Sequence, residues 1–289
     1  MIELLAAARA IHLASLMSIF GASAYVVLLQ RSKLSEPSVS AMRILFVTAT
    51  SLALASGIIW FCLTAGQMSG SWANATDLPT LELAASSTRF GQIFMARFAG
   101  LAVLWFLCSF TRLNARAVAI LAGLLLASLG FVSHAAAMNG DLAFSGAAND
   151  AVHLVAAGFW LGGLVVLVLL IPRHWAVPTG LLGPLRIFSL WGTFAVALLV
   201  TTGLINVISI LPMFAMAFHN IYFGLLAVKV GLALAMIVLA SLNRWRFAPA
   251  IRDERPRAAR HLARSVGTEI GLGAFIVGIA AVLGLIAPH

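Results

Sequence analysis

Seven histidines and nine methionines are the residues of this 289-residue chain best suited to chemistry. Neutral imidazole binds copper, zinc and iron through a ring nitrogen, and thioether sulfur is a soft donor that favours Cu(I). Four positions are the candidate metal ligands: His12, His134, His153 and Met138. Met138 follows His134 by four residues, so a helix would place both on one face. Met213, Met216 and His219 are spaced by threes, and Met68 adds a further thioether. The sequence has no GxxxxGK[ST] phosphate loop, no HExxH zinc helix and no CxxC pair, so ATP-driven transport by this chain alone is not expected.

The elements that must position these residues are membrane helices. Hydrophobic residues make up 62% of the chain and charged residues only 9%. A soluble domain is about 25% charged, so lipid rather than water must solvate most of this surface. Eight apolar stretches, at roughly 4–30, 41–66, 91–110, 116–138, 149–171, 185–211, 220–242 and 265–286, approach the ~20 residues that span a bilayer core. Lipid offers no partners to loose backbone groups, which selects helices. The expected fold class is an all-α polytopic membrane protein with eight transmembrane helices.

Charge sets the expected orientation. The net charge is +9, and the basic residues gather in the odd gaps between spans. Arg31, Lys33 and Arg43 mark the first gap, Arg112 and Arg116 the third, Arg173 and Arg186 the fifth. Seven arginines from Arg244 to Arg264 mark the seventh, whereas the even gaps hold only Arg89. The positive-inside rule makes the odd gaps cytoplasmic and both termini periplasmic. His12, His134 and His153 then lie toward the outer face. The basic balance is explained by topology and contact with lipid headgroups, not by nucleic acid.

Residues 1–24 are expected to be the first span rather than a cleaved leader. Glu3 lies where positive charge belongs, and Arg9 and His12 interrupt the apolar run. Cys62 and Cys108 fall at opposite ends of adjacent spans, which argues against a disulfide.

The two halves of the chain resemble each other, suggesting one membrane domain built from half-repeats of about 1–140 and 141–289. Arg9-Ala-Ile-His12-Leu, with Gly21 nine residues past the histidine, parallels Asp150-Ala-Val-His153-Leu with Gly162. Arg43-Ile-Leu-Phe46 parallels Arg186-Ile-Phe188, and Phe90-Gly91 with Arg97 parallels Phe223-Gly224 with Lys229. Four spans per half imply a parallel repeat about an axis along the membrane normal. His134 has no counterpart in the second half. Arg97 and Lys229 are buried cations that require partners, with Asp150, Glu82 or backbone carbonyls available. Glu269 lies near the basic seventh gap, where Arg264 is available to pair with it, and the buried cations could equally hold an anionic group such as a propionate or a lipid phosphate.

The run Asp150-Ala-Val-His153-Leu-Val-Ala-Ala-Gly158-Phe-Trp160-Leu-Gly162-Gly163-Leu164 resembles the signature of the copper resistance protein D (CopD) family. Ser133-His134-Ala, Thr202-Gly203-Leu-Ile-Asn206, Phe223 to Lys229, Leu242-Asn243-Arg244 and Arg264-Ser265-Val266 with Glu269 extend that resemblance over nearly the whole chain. The resemblance implies a bacterial inner-membrane protein that imports copper from periplasm to cytoplasm and serves copper homeostasis and resistance. It also implies a CopC-like periplasmic copper carrier as partner. The main expectation is thus a transporter rather than an enzyme, with copper, as Cu(I) or Cu(II), as the metal.

The alternative is a membrane oxidoreductase acting on copper or a quinone. Its haem b would be held between His12 and His153, with Arg97 or Lys229 on the propionates. The sequence leaves a homo-oligomer open.

Overall fold

The computed structural model describes residues 1–34, 36–132, 141–214, 221–253 and 257–286, with the side chains of 141–143 and 210–214 outside that description. Helix α1 spans Ile2–Arg31, α2 Val39–Met68, α3 Leu78–Ser87, α4 Arg89–Phe110 and α5 Ala115–Ala127. Helix α6 spans Asp141–Leu170, α7 Leu182–Phe214, α8 Ile221–Leu242, α9 Ala248–Arg252 and α10 Ala258–Leu283. Among the described residues, eight helical segments are long and apolar enough to cross a membrane, as the apolar runs require.

Helix α1 is the centre of the bundle. It packs against α2, α5, α6 and α10, and its most extensive contact is with α6. That approach depends on glycine. A side chain at Gly162 would place its first carbon 2.6 Å from the Cα of Gly21, and one at Gly21 would strike the Gly158 carbonyl. Small residues at a crossing let two backbones touch, which is how helices associate where no water drives them together. Gly21 and Gly162 are the two glycines that stand nine residues past His12 and His153.

Polar side chains then fasten the helix ends. Arg9 Nη1 donates to the Gly284 carbonyl at 2.8 Å, which brings the start of α1 to the end of α10. Arg43 donates to the carbonyls of Cys108, Ser109 and Thr111, satisfying the last turn of α4 with a cation where the helix dipole favours one. Cys62 and Cys108 are free thiols.

The structure departs from the sequence expectation at three helices. The second gap contains the short helix α3, capped by Asp77 and opened by Pro79. Helix α5 gives way to a tighter 3-10 turn over Ser128–Val132, and His134 and Met138 lie outside the described residues. Helix α10 starts at Ala258, seven residues before the apolar run. Arginine is a good helix former, so the basic segment continues the helix beyond the lipid.

Candidate functional site

His12 is 1% exposed and sits among α1, α2 and α4. Its Nδ1 lies 2.8 Å from the Ala53 carbonyl, which can only accept. The proton is therefore on Nδ1 and the lone pair on Nε2. That lone pair is taken: Arg97 Nη2 approaches Nε2 at 2.5 Å and must donate to it. Arg97, 2% exposed, also donates to the Leu125 carbonyl at 2.6 Å and to Ser128 Oγ. The carbonyl end of α5 thus receives a buried cation, as expected of backbone partners, and Glu82 does not serve. Trp60 stands edge-on to His12 at 5.6 Å, and Arg9 lies over the Trp60 ring at 4.9 Å.

His153 repeats this logic in the other half. Its Nδ1 lies 2.8 Å from Thr202 Oγ1 on α7. The Thr202 hydroxyl gives its own proton to the Leu198 carbonyl at 2.6 Å, so it accepts from Nδ1. The lone pair is again on Nε2, here with no hydrogen-bond partner among the described residues. Asn206 Nδ2 donates to Asp150 Oδ1 at 3.0 Å, and Asn149 Nδ2 donates to Asn206 Oδ1 at 2.7 Å. Lys229 on α8 interacts electrostatically with both Asp150 and His153, as the sequence anticipated for Asp150. His12 of α1 is thus fixed by α2 with a cation from α4, and His153 of α6 by α7 with a cation from α8. Glycine opens space beside each ring: a methyl at Gly57 would lie 3.1 Å from the His12 ring, and one at Gly203 would lie 3.7 Å from His153.

Among the described residues the two imidazoles share no hydrogen bond or ring contact, because each is turned toward the second helix of its own half. Nor do the described residues contain a cluster of three or more His, Cys, Asp or Glu side chains of metal-binding arrangement. His134 and Met138 are not placed by the described residues, and neither are Met216 and His219.

Several residues of the site escaped the sequence reading. Asn149 carries no motif, and Thr202 and Asn206 stand out only through the family resemblance; two asparagines in apolar helices are the available signal. Met236 is 2% exposed and lies midway between Lys229 and Asn243 on α8. The seven-residue spacing of Lys229, Met236 and Asn243 repeats one helix face about every two turns. On α6, His153 and Trp160 share a face for the same reason. Glu269 does not pair with Arg264. It accepts from Asn243 Nδ2 instead, because residues five apart on a helix point roughly 140° away from each other.

Residues 1–144 match the N-terminal domain of copper resistance protein D-like proteins, and residues 183–283 match copper resistance protein D. Copper resistance protein D of Pseudomonas syringae pv. tomato is 29% identical over 290 residues, covering 95% of this chain and 93% of that protein. Inner membrane protein YebZ of Escherichia coli (strain K12) is 28% identical over 98% of this chain and 97% of that protein. Copper transport protein CutJ of Bacillus subtilis (strain 168) is 37% identical over 123 residues, which are 42% of this chain and 22% of that protein. No solved structure matches the chain.

Proposed function

The chain belongs to the copper resistance protein D family, and from that premise we propose that this multi-pass inner-membrane protein binds copper at its periplasmic side and conducts it to the cytoplasm. The observation that carries the reading is the state of His153. Its Nδ1 proton is fixed by Thr202, which leaves Nε2 as a directed electron-pair donor without a hydrogen-bond partner among the described residues. A tethered imidazole of this kind is the form a copper ligand takes. The basic odd gaps support a periplasmic position for that end of the bundle.

Copper would arrive from a CopC-like periplasmic carrier and meet His153, His12, His134 and Met138 as its first protein ligands. His12 joins when Arg97 releases Nε2. Met236, buried one further turn pair inward along α8 from Lys229, offers a soft thioether for the next step and favours Cu(I). Transfer needs ligands that bind well enough to strip water from the ion and weakly enough to release it. One or two donors at each level meet that need better than a closed four-ligand cage. The similar placement of His12 and His153, and the α1–α6 crossing at Gly21 and Gly162, support two half-repeats related by an axis along the membrane normal.

The test is copper uptake by the purified protein in liposomes loaded with a Cu(I)-specific chromogenic chelator. Wild-type protein should colour the lumen faster than protein-free liposomes. His153→Ala and Met236→Leu should each slow uptake while the protein remains folded by circular dichroism. Uptake no faster than in protein-free liposomes would end the transport reading, and unchanged uptake in His153→Ala would end the site assignment.

A further inference from the structure

A second polar cluster lies on the opposite side of Met236 from Lys229, where α8 meets α10. The backbone of α8 widens into a π-helical turn over Asn243–Phe247. Such turns open a helix ladder and expose groups that regular geometry would hide. Asn243 at the start of this turn donates through Nδ2 to Glu269 Oε1. Glu269 is 1% exposed and Ser265, one turn earlier on α10, is 7% exposed.

Three buried atoms here have no hydrogen-bond partner among the described residues: Glu269 Oε2, Asn243 Oδ1 and Ser265 Oγ. When Glu269 is ionised its Oε2 can only accept, as the Asn243 amide oxygen always does, so neither can satisfy the other. A buried carboxylate also demands a cation. The groups that face the carboxyl are Asn243 from the π-helical turn and Trp160 from α6, whose indole N–H can donate to it, and neither is charged. The nearby basic groups are directed elsewhere: Arg244 donates to Thr193 on α7, and His261 stacks on Phe247. On α8, Lys229 is attracted to Asp150 of α6, His153 is held by Thr202, and the α9 arginine Arg252 pairs with Asp253. On α1, Arg9 and His12 are held by Gly284 and by Ala53 with Arg97.

We propose that Glu269 is a membrane-embedded proton-binding site, with Asn243 as the partner that reads its occupancy. One proton on Oε2 resolves the mismatch. It supplies the donor that the buried amide oxygen of Asn243 lacks, so acid and amide close a ring of two hydrogen bonds. Ser265 Oγ then has a neutral acid beside it rather than a bare charge. Release of the proton leaves a buried anion against an amide oxygen, which weakens the contact between the π-helical turn and α10. Proton occupancy is thereby linked to the packing of α8, the helix that carries Lys229 and Met236. The inference goes beyond copper binding and does not depend on it.

The direct test is infrared difference spectroscopy of the purified full-length protein in lipid, without copper. At neutral pH the wild type should show the carbonyl stretch of a protonated carboxylic acid, shifted downward in D2O. That band should vanish in Glu269→Gln, whose amide reproduces both hydrogen bonds and should preserve the fold. In Asn243→Ala the band should persist but move to higher frequency, as expected for an acid that has lost its acceptor. A protonated-acid carbonyl region that is unchanged by Glu269→Gln would show Glu269 to be ionised and would overturn the proposal. An unmoved band in Asn243→Ala would remove Asn243 as the partner. Because neither measurement involves copper, failure here is separable from failure of the transport reading.

Discussion

Arg97 Nη2 lies 2.5 Å from His12 Nε2, so a buried guanidinium occupies the one nitrogen through which this histidine could bind a metal. The relationship makes His12 and His153 unequal despite their similar settings. His153 offers its Nε2 directly, whereas His12 must first lose a charged hydrogen-bond donor. A cation beside the lone pair also opposes an incoming copper ion electrostatically.

Arg97→Gln should therefore strengthen copper binding at the first-half histidine. A hydrogen bond to a charged donor is worth about 1.5–3 kcal/mol, so the affinity of a His153→Ala background should rise by roughly 10- to 100-fold when Arg97 is replaced. Competition with a Cu(I) chelator of known affinity measures this. Unaltered affinity would mean that His12 does not bind copper.

Thr202 should matter to copper although it need not touch the ion. It fixes the tautomer and ring orientation of His153 through Nδ1. Partners of this kind typically contribute ~10- to 100-fold in metal affinity. Thr202→Val removes the acceptor with little change in volume, and Thr202→Ser retains it. The valine variant should bind copper more weakly by about 10-fold or more, and the serine variant should match wild type. Equal affinities for the two would show that orientation at Nδ1 is unimportant.

Length and apolarity made the eight spans legible, because only a helix of this size hides its backbone from lipid. His12 and His153 were legible for the converse reason: a polar ring is conspicuous in an apolar helix. What Arg97 does was half-legible. Its need for carbonyl partners follows from burial alone, but its contact with His12 depends on how α4 is rotated against α1, which spacing within one helix does not encode. The pairing of Glu269 failed on the same ground. Arg264 was the nearest cation in sequence, yet it points away around α10, and the true partner comes from a π-helical turn that no apolar pattern announces. Helix α3 was missed because a short helix carrying Asp77, Thr80 and Glu82 reads as an ordinary polar gap.

Asp77 gives α3 a pH-dependent start. Its carboxylate accepts from the Thr80 backbone at 3.0 Å and from the Thr80 hydroxyl at 2.6 Å, and these bonds hold it below the usual carboxylate range. A group lowered on folding stabilises the folded helix above its unfolded value and loses that contribution as pH falls through the folded value. The cap should thus be complete at neutral pH and fail under acid conditions. Hydrogen exchange at residues 78–82 should quicken in Asp77→Ala at neutral pH, and in the wild type the relative protection of this segment should fall on acidification. If Asp77→Ala leaves exchange unchanged, the cap does not hold α3.

The crossing of α1 and α6 should be the least tolerant place in the bundle. Gly162 faces the Gly21 Cα, the Met17 carbonyl and the Ala22 nitrogen, all backbone atoms that cannot rotate aside. Gly162→Ala must therefore separate two helices rather than displace one side chain. Overpacking of this kind typically costs about 1–3 kcal/mol, and the rigidity of the opposing backbone places this site at the upper end. Gly224 is a useful control, since nothing lies within 4 Å of a side-chain carbon built there. Gly224→Ala should leave the melting temperature unchanged or slightly raised, because alanine favours a helix interior by about 1 kcal/mol over glycine. Thermal unfolding of both variants in the same detergent compares them directly. A Gly162→Ala protein as stable as Gly224→Ala would show that the two halves do not bear on each other at this crossing.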